Sequence, residues 1–221
     1  YDAALMEYNR ILEQKSRILK DHFENPGILE ILPEYNTRLC QVGALLISYR
    51  ARFYDSLGKA AANYHNQFSG GAENFTLSYK TVSTVIDPFA PVPELTQNLL
   101  DHLQSHSRAE LETAQCLTGP HKDDFTVSLS GIDLKAYGSQ GQTRTAAISL
   151  KLAQRELMAR EWGEEPVLLL DDVLSELDTK RQEFVLNRIG GGQTLITCCE
   201  DEGISRRTGG KVLHVGNGRI G

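Results

Sequence analysis

The 221 residues contain no GxxxxGK[ST] phosphate loop. Gly58-Lys59 is followed by Ala60 and Gly210-Lys211 by Val212, and neither pair has the required earlier glycine. The chain therefore carries no glycine-rich cradle of its own for a triphosphate. No apolar run approaches the roughly 20 residues that span a bilayer. The opening stretch YDAALMEYNR lacks the apolar core of a secretion signal, so the expected location is cytoplasmic. The four cysteines, Cys40, Cys116, Cys198 and Cys199, have no metal-ligand spacing and read as reduced, structural thiols. Positive charge is also in deficit, with 23 Lys and Arg against 29 Asp and Glu and a formal net charge of −6. That balance excludes an overall basic nucleic-acid binder and leaves only local patches for such contacts. Two stretches could supply them: Arg206, Arg207, Lys211 and Arg219, which follow the last acid, Glu202, and the series Arg144, Lys151, Arg155 and Arg160. Either could equally be a solvated face.

What is present suffices for a packed core. Hydrophobic residues make up 40% of the sequence, enough for one large domain or two small ones. Residues 1 to about 20 place Tyr1, Leu5, Tyr8, Leu12 and, past a skipped Lys15, Leu19 on a heptad-like stripe that predicts a helix packed on a partner. Asn25, Pro26 and Gly27 interrupt it. A second helical pattern runs from about Asn36 to Phe68, with Leu39, Val42, Leu46, Tyr49, Phe53, Leu57, Ala60 and Tyr64 as its apolar positions. Two long helices with a short break predict an antiparallel arm. A strand is expected over Phe75 to Val82, then a proline-rich connector, then a helix from Glu94 to Thr113. Its His102 and His106 lie one turn apart, a spacing able to bind a metal, but no third ligand is evident and an exposed polar face is expected.

From Gln115 the character changes to short strands and tight turns, at Cys116–Thr118 and Phe125–Leu129, and the domain boundary is placed here. Strand and helix then alternate, which predicts an α/β sheet. A helix runs to about Trp162, a strand follows at Val167–Leu170, a helix spans Thr179–Ile189, and another strand spans Gln193–Cys199. A hairpin at Gly216, Asn217 and Gly218 ends the chain. The GxGxxG spelled by Gly216, Gly218 and Gly221 has no helix after it and is no dinucleotide site.

Two stretches carry chemistry. PVLLLDDVLSELD, Pro166 to Asp178, has four consecutive apolar residues, which read as a strand buried on both faces and ending in two carboxylates. At the carboxyl end of such a strand Asp171 and Asp172 face the position where α/β folds bind ligands, and they call for a cation. Two acids simply facing solvent are the plainer alternative. In YGSQGQTRTAAISLKL, Tyr137 to Leu152, the residues Ser139, Gly141 and Gln142 sit where a new helix exposes its unpaired amide hydrogens, a geometry suited to phosphate or another anion.

The second stretch resembles the signature motif of the ABC-type ATPase superfamily. PVLLLDDVLSELD resembles its Walker B strand followed, at Ser175, Glu176, Leu177 and Asp178, by its D-loop. With GPHKDD at Gly119 to Asp124 added, the whole chain is similar to the RecF family of bacterial recombination and repair proteins. The resemblance implies a helical second lobe at residues 1–113 and, at 114–221, the C-terminal part of an ABC-type ATPase lobe. It also implies ATP with Mg²⁺, a homodimer closed by ATP on double-stranded DNA near single-strand gaps, and RecO and RecR as partners in loading RecA. By the same resemblance Asp171 holds Mg²⁺, and Asp172 takes the place where many ABC ATPases carry a glutamate that orients the attacking water. Aspartate is one methylene shorter, which suits a slow switch. Ser139, Gly141 and Gln142 would meet the γ-phosphate bound by the other subunit, with Asp178 at the dimer seam. In place of the usual histidine the sequence has TCCED, with Cys199 nearest. His121 and Lys122 read as parts of a structural turn. The missing phosphate loop and a start in mid-helix pattern lead to the expectation of a C-terminal fragment, inactive alone, with apolar sheet surface that an absent half would cover. Two other readings fit parts of the pattern. An ABC transporter subunit is opposed by the SQGQ turn, Asp172 and the long helices. A two-metal nuclease built on Asp171, Asp172, Glu176 and Asp178 leaves the signature helix unexplained.

Overall fold

The computed structural model describes residues 1–174, 177–189, 191–198, 209–216 and 218–220. Its elements run α1 (Asp2–Asp21), a 3-10 turn (Pro26–Ile31), α2 (Leu32–Ser69), β1 (Phe75–Lys80), α3 (Val92–Thr113), a 3-10 turn (Pro120–Lys122), β2 (Asp124–Leu129), β3 (Ile132–Asp133), α4 (Leu134–Tyr137), α5 (Gln140–Trp162), β4 (Leu168–Asp171), α6 (Thr179–Leu186), β5 (Thr194–Thr197), β6 (Val215–Gly216) and β7 (Arg219–Ile220). Two compact units result, one of Tyr1–Lys59 with Phe75–Tyr137, the other of Ala60–Asn74 with Gly138–Gly221. Helix α2 contributes to both.

In the first unit α1 and α2 form an antiparallel pair. Tyr1 stacks edge-on against Tyr49, while Glu7, further along α1, bonds Arg38, further back along α2. Tyr8, from the expected stripe, and Ile11, which the stripe omits, pack on Leu39, Val42 and Leu46, with Leu5 and Leu12 partly buried beside them and Tyr1 exposed. Gly43 permits the close approach: a methyl group there would lie 3.1 Å from Pro120 and 3.3 Å from Leu99 and Tyr8. The neighbouring face of α2, Cys40, Ala44 and Ile47, meets Leu95, Leu99 and Leu103 of α3. Burial pushes the Cys40 thiol up to about 12 and raises that of Cys116, so both are inert packing groups.

Three expectations change here. The stripe breaks at Tyr49 and Phe53, which are exposed, and resumes at Leu57, with Ala51 and Ala61 completing the buried face because a straight 3.6-residue helix drifts from a fixed repeat. Lys15, skipped in the stripe, is fully buried and bonds Glu110 at 2.6 Å. Cys116–Thr118 is irregular rather than a strand, because Glu110 Oε1 accepts the N–H groups of Leu117 (2.7 Å) and Thr118 (3.3 Å) in place of a ladder. Beyond it, β1 and β2 pair antiparallel from Phe75↔Leu129 to Lys80↔Asp124, and Ser130 and Gly131, at φ 49° and 84°, turn the chain into β3.

His102 is buried, donating to or accepting from Thr118 Oγ1 at 2.8 Å and stacked on His106 with centroids 4.0 Å apart. The polar face expected at this pair is therefore half internal, since α3 packs the loop after it against its own side. Among the described residues no group of His, Cys, Asp and Glu could hold a metal ion. None of the described helices is long and apolar enough to cross a membrane.

In the second unit, β4 and β5 pair parallel, Leu168↔Thr194 to Asp171↔Thr197, with α6 as the crossover. Ile148 and Leu152 of α5, Leu168 and Leu170 of β4, Leu174 and Leu177 of the following loop, and Val185 and Leu186 of α6 make one core. Phe68 near the end of α2 closes it against Phe184, ring centroids 4.2 Å apart. The strand is not buried on both faces as its apolar run predicts. Leu168 and Leu170 are buried, but Leu169 is 70% and Val167 53% exposed. Helices α5 and α6 both cover the Leu168/Leu170 face, and nothing among the described residues covers the other. Helix α6 ends at Leu186, one turn short of Ile189, and β5 at Thr197. The terminal hairpin β6–β7 forms as expected.

Candidate functional site

All six candidate residues, Ser139, Gly141, Gln142, Asp171, Asp172 and Asp178, fall in the second unit. Helix α5 begins with a capping box. Ser139 Oγ accepts the Gln142 N–H at 3.2 Å, and Gln142 Oε1 accepts the Ser139 N–H at 2.9 Å. The N–H groups of Gln140 and Gly141, in the first turn, have no partner within an α-helix, so the turn offers donors backed by the positive end of the helix. Gln142 Nε2 donates to Glu73 Oε1 at 2.7 Å, and Glu73 Oε2 lies 2.9 Å from Nε2 of the fully buried His65. The Gln142 bond, then that from His65, holds the Glu73 carboxyl below its usual range, with Arg181 nearby adding to the effect.

Asp178 caps α6, its Oδ1 accepting the Arg181 N–H at 3.0 Å and its Oδ2 bonding Arg181 Nη1 at 2.9 Å. A methyl group at Gly141 would lie 3.9 Å from that same Nη1. Arg181, bonded to Asp178 at the start of α6, thus lies beside the start of α5. The loop into α6 is held by Gln182 Nε2, which donates to the carbonyls of Leu174 and Leu177 at 2.9 and 3.2 Å. Ser175 and Glu176 lie outside the described residues, as does Cys199.

At the carboxyl ends of the parallel strands Thr197 Oγ1 donates to Asp171 Oδ1 at 2.6 Å and accepts the Asp172 N–H at 2.9 Å. Asp172 has φ 53°, a left-handed conformation that aspartate tolerates better than most residues, and it turns the chain sharply off the strand. Both carboxylates are exposed. Asp171 is therefore a held, solvent-facing carboxylate with one oxygen committed to Thr197. That fits Mg²⁺, which takes one or two carboxylates and leaves its other positions to water and phosphates. Asp171, Asp172 and Asp178 do not converge into a protein-made metal cage.

Sequence reasoning missed Glu73, Thr197 and Arg181. Glu73 lies 69 residues from Gln142 and Thr197 26 from Asp171, so no local pattern links them. Arg181 alone had a local signal, three residues after a capping Asp.

In the first unit GPHKDD is a braced turn. His121 lies 2.7 Å from Tyr8 Oη and 3.0 Å from the Cys116 carbonyl, Arg50 bonds Asp123 at 2.8 Å, and Tyr79 donates to the same Asp123. Gly119, at φ 128°, lies so close to Tyr8 that a methyl group would sit 2.2 Å from its hydroxyl. Burial lowers the His121 pKa, favouring the neutral ring. Lys122 is exposed.

A capped helix after a short polar turn, then a parallel β4–α6–β5 unit with acids at its carboxyl end, is the C-terminal part of an ABC-type ATPase lobe, here with helical arm elements in the same α/β chain. No family model matches the sequence. Curated relatives do. The chain is 39% identical over 222 residues to the DNA replication and repair protein RecF of Agathobacter rectalis, covering 100% of this chain and 58% of the relative. It is 36% identical to RecF of Acetivibrio thermocellus, covering 96% and 57%, and 38% identical to RecF of Clostridium botulinum, covering 98% and 58%. A solved structure of the recombination mediator protein RecF-ATPrS in the RecFOR pathway superposes with a TM-score of 0.86 at 29% identity, over 100% of this chain and 58% of that one. A second, of RecF-ATP, gives 0.79 at 31% over 92% and 54%. Over its whole length the chain is thus a relative of the RecF proteins, matching their C-terminal part and spanning 58% of their length.

Proposed function

We propose that this chain is the C-terminal part of a RecF-like, ATP-gated DNA-binding protein of recombinational repair and replication-gap processing, cytoplasmic, and working as an ATP-dependent homodimer with RecO and RecR on duplex DNA beside single-strand gaps. Residues 1–113 serve as its helical lobe and 114–221 as the C-terminal part of its ATPase lobe. The observation that carries the reading is a pair of sites in one unit, a capped turn with free backbone donors at Ser139–Gln142 beside the Asp178-bonded Arg181, and Asp171 held by Thr197 at the strand end. When Mg²⁺-ATP is bound, the metal supplies charge neutralisation on the phosphates. Asp171 would hold it. Asp172 orients the attacking water, and its short side chain makes hydrolysis slow. Ser139, Gly141 and Gln142 present the turn that meets the γ-phosphate carried by the opposite subunit, and Asp178 lies at the seam. Most phosphate contacts belong to a phosphate loop that this chain does not contain, so the chain alone binds ATP weakly and does not turn it over.

The test separates binding from closure. In a full-length protein that includes the upstream portion its relatives possess, Ser139→Arg places a bulky cation where the turn must receive phosphate. ATP affinity of the monomer stays at the parent value, while sedimentation with a slowly hydrolysed ATP analogue shows loss of the dimer. A Ser139→Arg protein that dimerises as the parent does overturns the in-trans role.

A further inference from the structure

Both ends of the Gln142 carboxamide are already engaged within the second unit. Its oxygen accepts the Ser139 N–H and its nitrogen donates to Glu73, which is backed by buried His65. An amide spanning those two partners has its orientation fixed at both ends, because the Ser139 N–H only donates and a carboxylate only accepts. Without that acceptor the amide loses one of its two anchors and is held by the Ser139 N–H alone. The Ser139 hydroxyl oxygen receives the Gln142 N–H, which leaves its own hydrogen available to donate outward.

We propose that Glu73 is a positioning residue for the signature turn: it locks Gln142 as an internal brace, so that the donors turned to phosphate are the Ser139 hydroxyl and the N–H groups of Gln140 and Gly141. The inference rests on the in-trans reading above and refines it, moving Gln142 from phosphate ligand to support. It also gives the end of α2 a role. His65 is on the last turns of that helix and Glu73 lies four residues beyond its end, both within the second unit. A carboxylate placed merely to fill the anion-facing turn would act in the opposite sense, repelling the incoming phosphate.

The experiment uses the full-length protein with Glu73→Ala, Glu73→Gln and, as a reference, Ser139→Arg, each assayed for monomer ATP affinity and for dimerisation with a slowly hydrolysed analogue. Glu73→Ala weakens ATP-dependent dimerisation about tenfold, as expected for loss of one charge-assisted bond, with monomer ATP affinity unchanged. Glu73→Gln keeps an acceptor for Gln142 and restores most of the loss, which a charge effect would not allow. Tighter dimerisation in either Glu73 variant identifies a repelling carboxylate and overturns the proposal, as does parental dimerisation in Glu73→Ala. If Glu73→Ala does not fold, Gln142→Glu takes its place: it preserves the capping-box acceptor and sets two carboxylates against each other, and parental dimerisation by that variant likewise refutes the brace. Parental dimerisation by Ser139→Arg refutes the underlying reading instead, so the two failures are distinguishable.

Discussion

Replacing Lys15 by Met tests whether a buried charge, and not the apolar stripe alone, fixes the helical unit. The ammonium is fully buried and bonds Glu110 Oε2 at 2.6 Å, while Glu110, itself 2% exposed, also holds the N–H groups of Leu117 and Thr118. Methionine keeps the length and apolar stem of the lysine but leaves the Glu110 charge facing an uncharged thioether. Removing one partner of a buried pair costs about 3–5 kcal/mol, since the remaining charge stays desolvated. The two backbone donors compensate only part of it. Replacing both, as Lys15→Met with Glu110→Gln, leaves no buried charge and keeps an acceptor for Leu117 and Thr118, so the double variant should lose clearly less than the sum of the singles. Urea unfolding followed by far-ultraviolet circular dichroism reads this directly: with a slope of about 1–3 kcal/mol per molar, Lys15→Met moves the midpoint of the helical unit down by at least about 1 M. A Lys15→Met midpoint within about 0.3 M of the parent, or strictly additive losses, would refute the reasoning.

Two further outcomes are expected. His102 and His121 both have pKa values lowered chiefly by burial, so the unfolded chain takes up protons first as pH falls; stability is fully present above about pH 6.5 and declines as the pH drops toward their folded values, and His121→Gln should flatten that slope in melting curves taken between about pH 5 and 8. Thr197→Val removes the donor to Asp171 and the acceptor for the Asp172 N–H at an exposed site; stability should change by less than about 1 kcal/mol, whereas ATP turnover of the full-length protein should fall about tenfold in a phosphate-release assay, and unchanged turnover would dismiss Thr197 as a support of the metal ligand.

The sequence by itself determined the elements and the chemistry that each one carries. Apolar spacing located α1 and α2, the four-residue apolar run located β4, and the small polar turn before Gln142 marked the start of α5, because all of these depend on neighbours within one or two helical turns. Tertiary structure alone decided what holds those groups in place. Lys15 interrupts an apolar stripe in sequence and completes the core in space, since its partner Glu110 comes from α3, 95 residues on. Leu169 reads as buried in a run of leucines and is exposed, since burial of a strand depends on what covers each face and not on the strand's own composition. Glu73, Thr197 and Arg181 reach the candidate residues through packing of α2, β5 and α6 around α5 and β4, and side-chain hydrogen bonds between distant segments leave no period in a sequence. Ser139 and Asp171 stand out in the sequence as candidates because a helix start and a strand end are legible from local pattern; the hydrogen bonds that hold each come from residues that only the fold brings near.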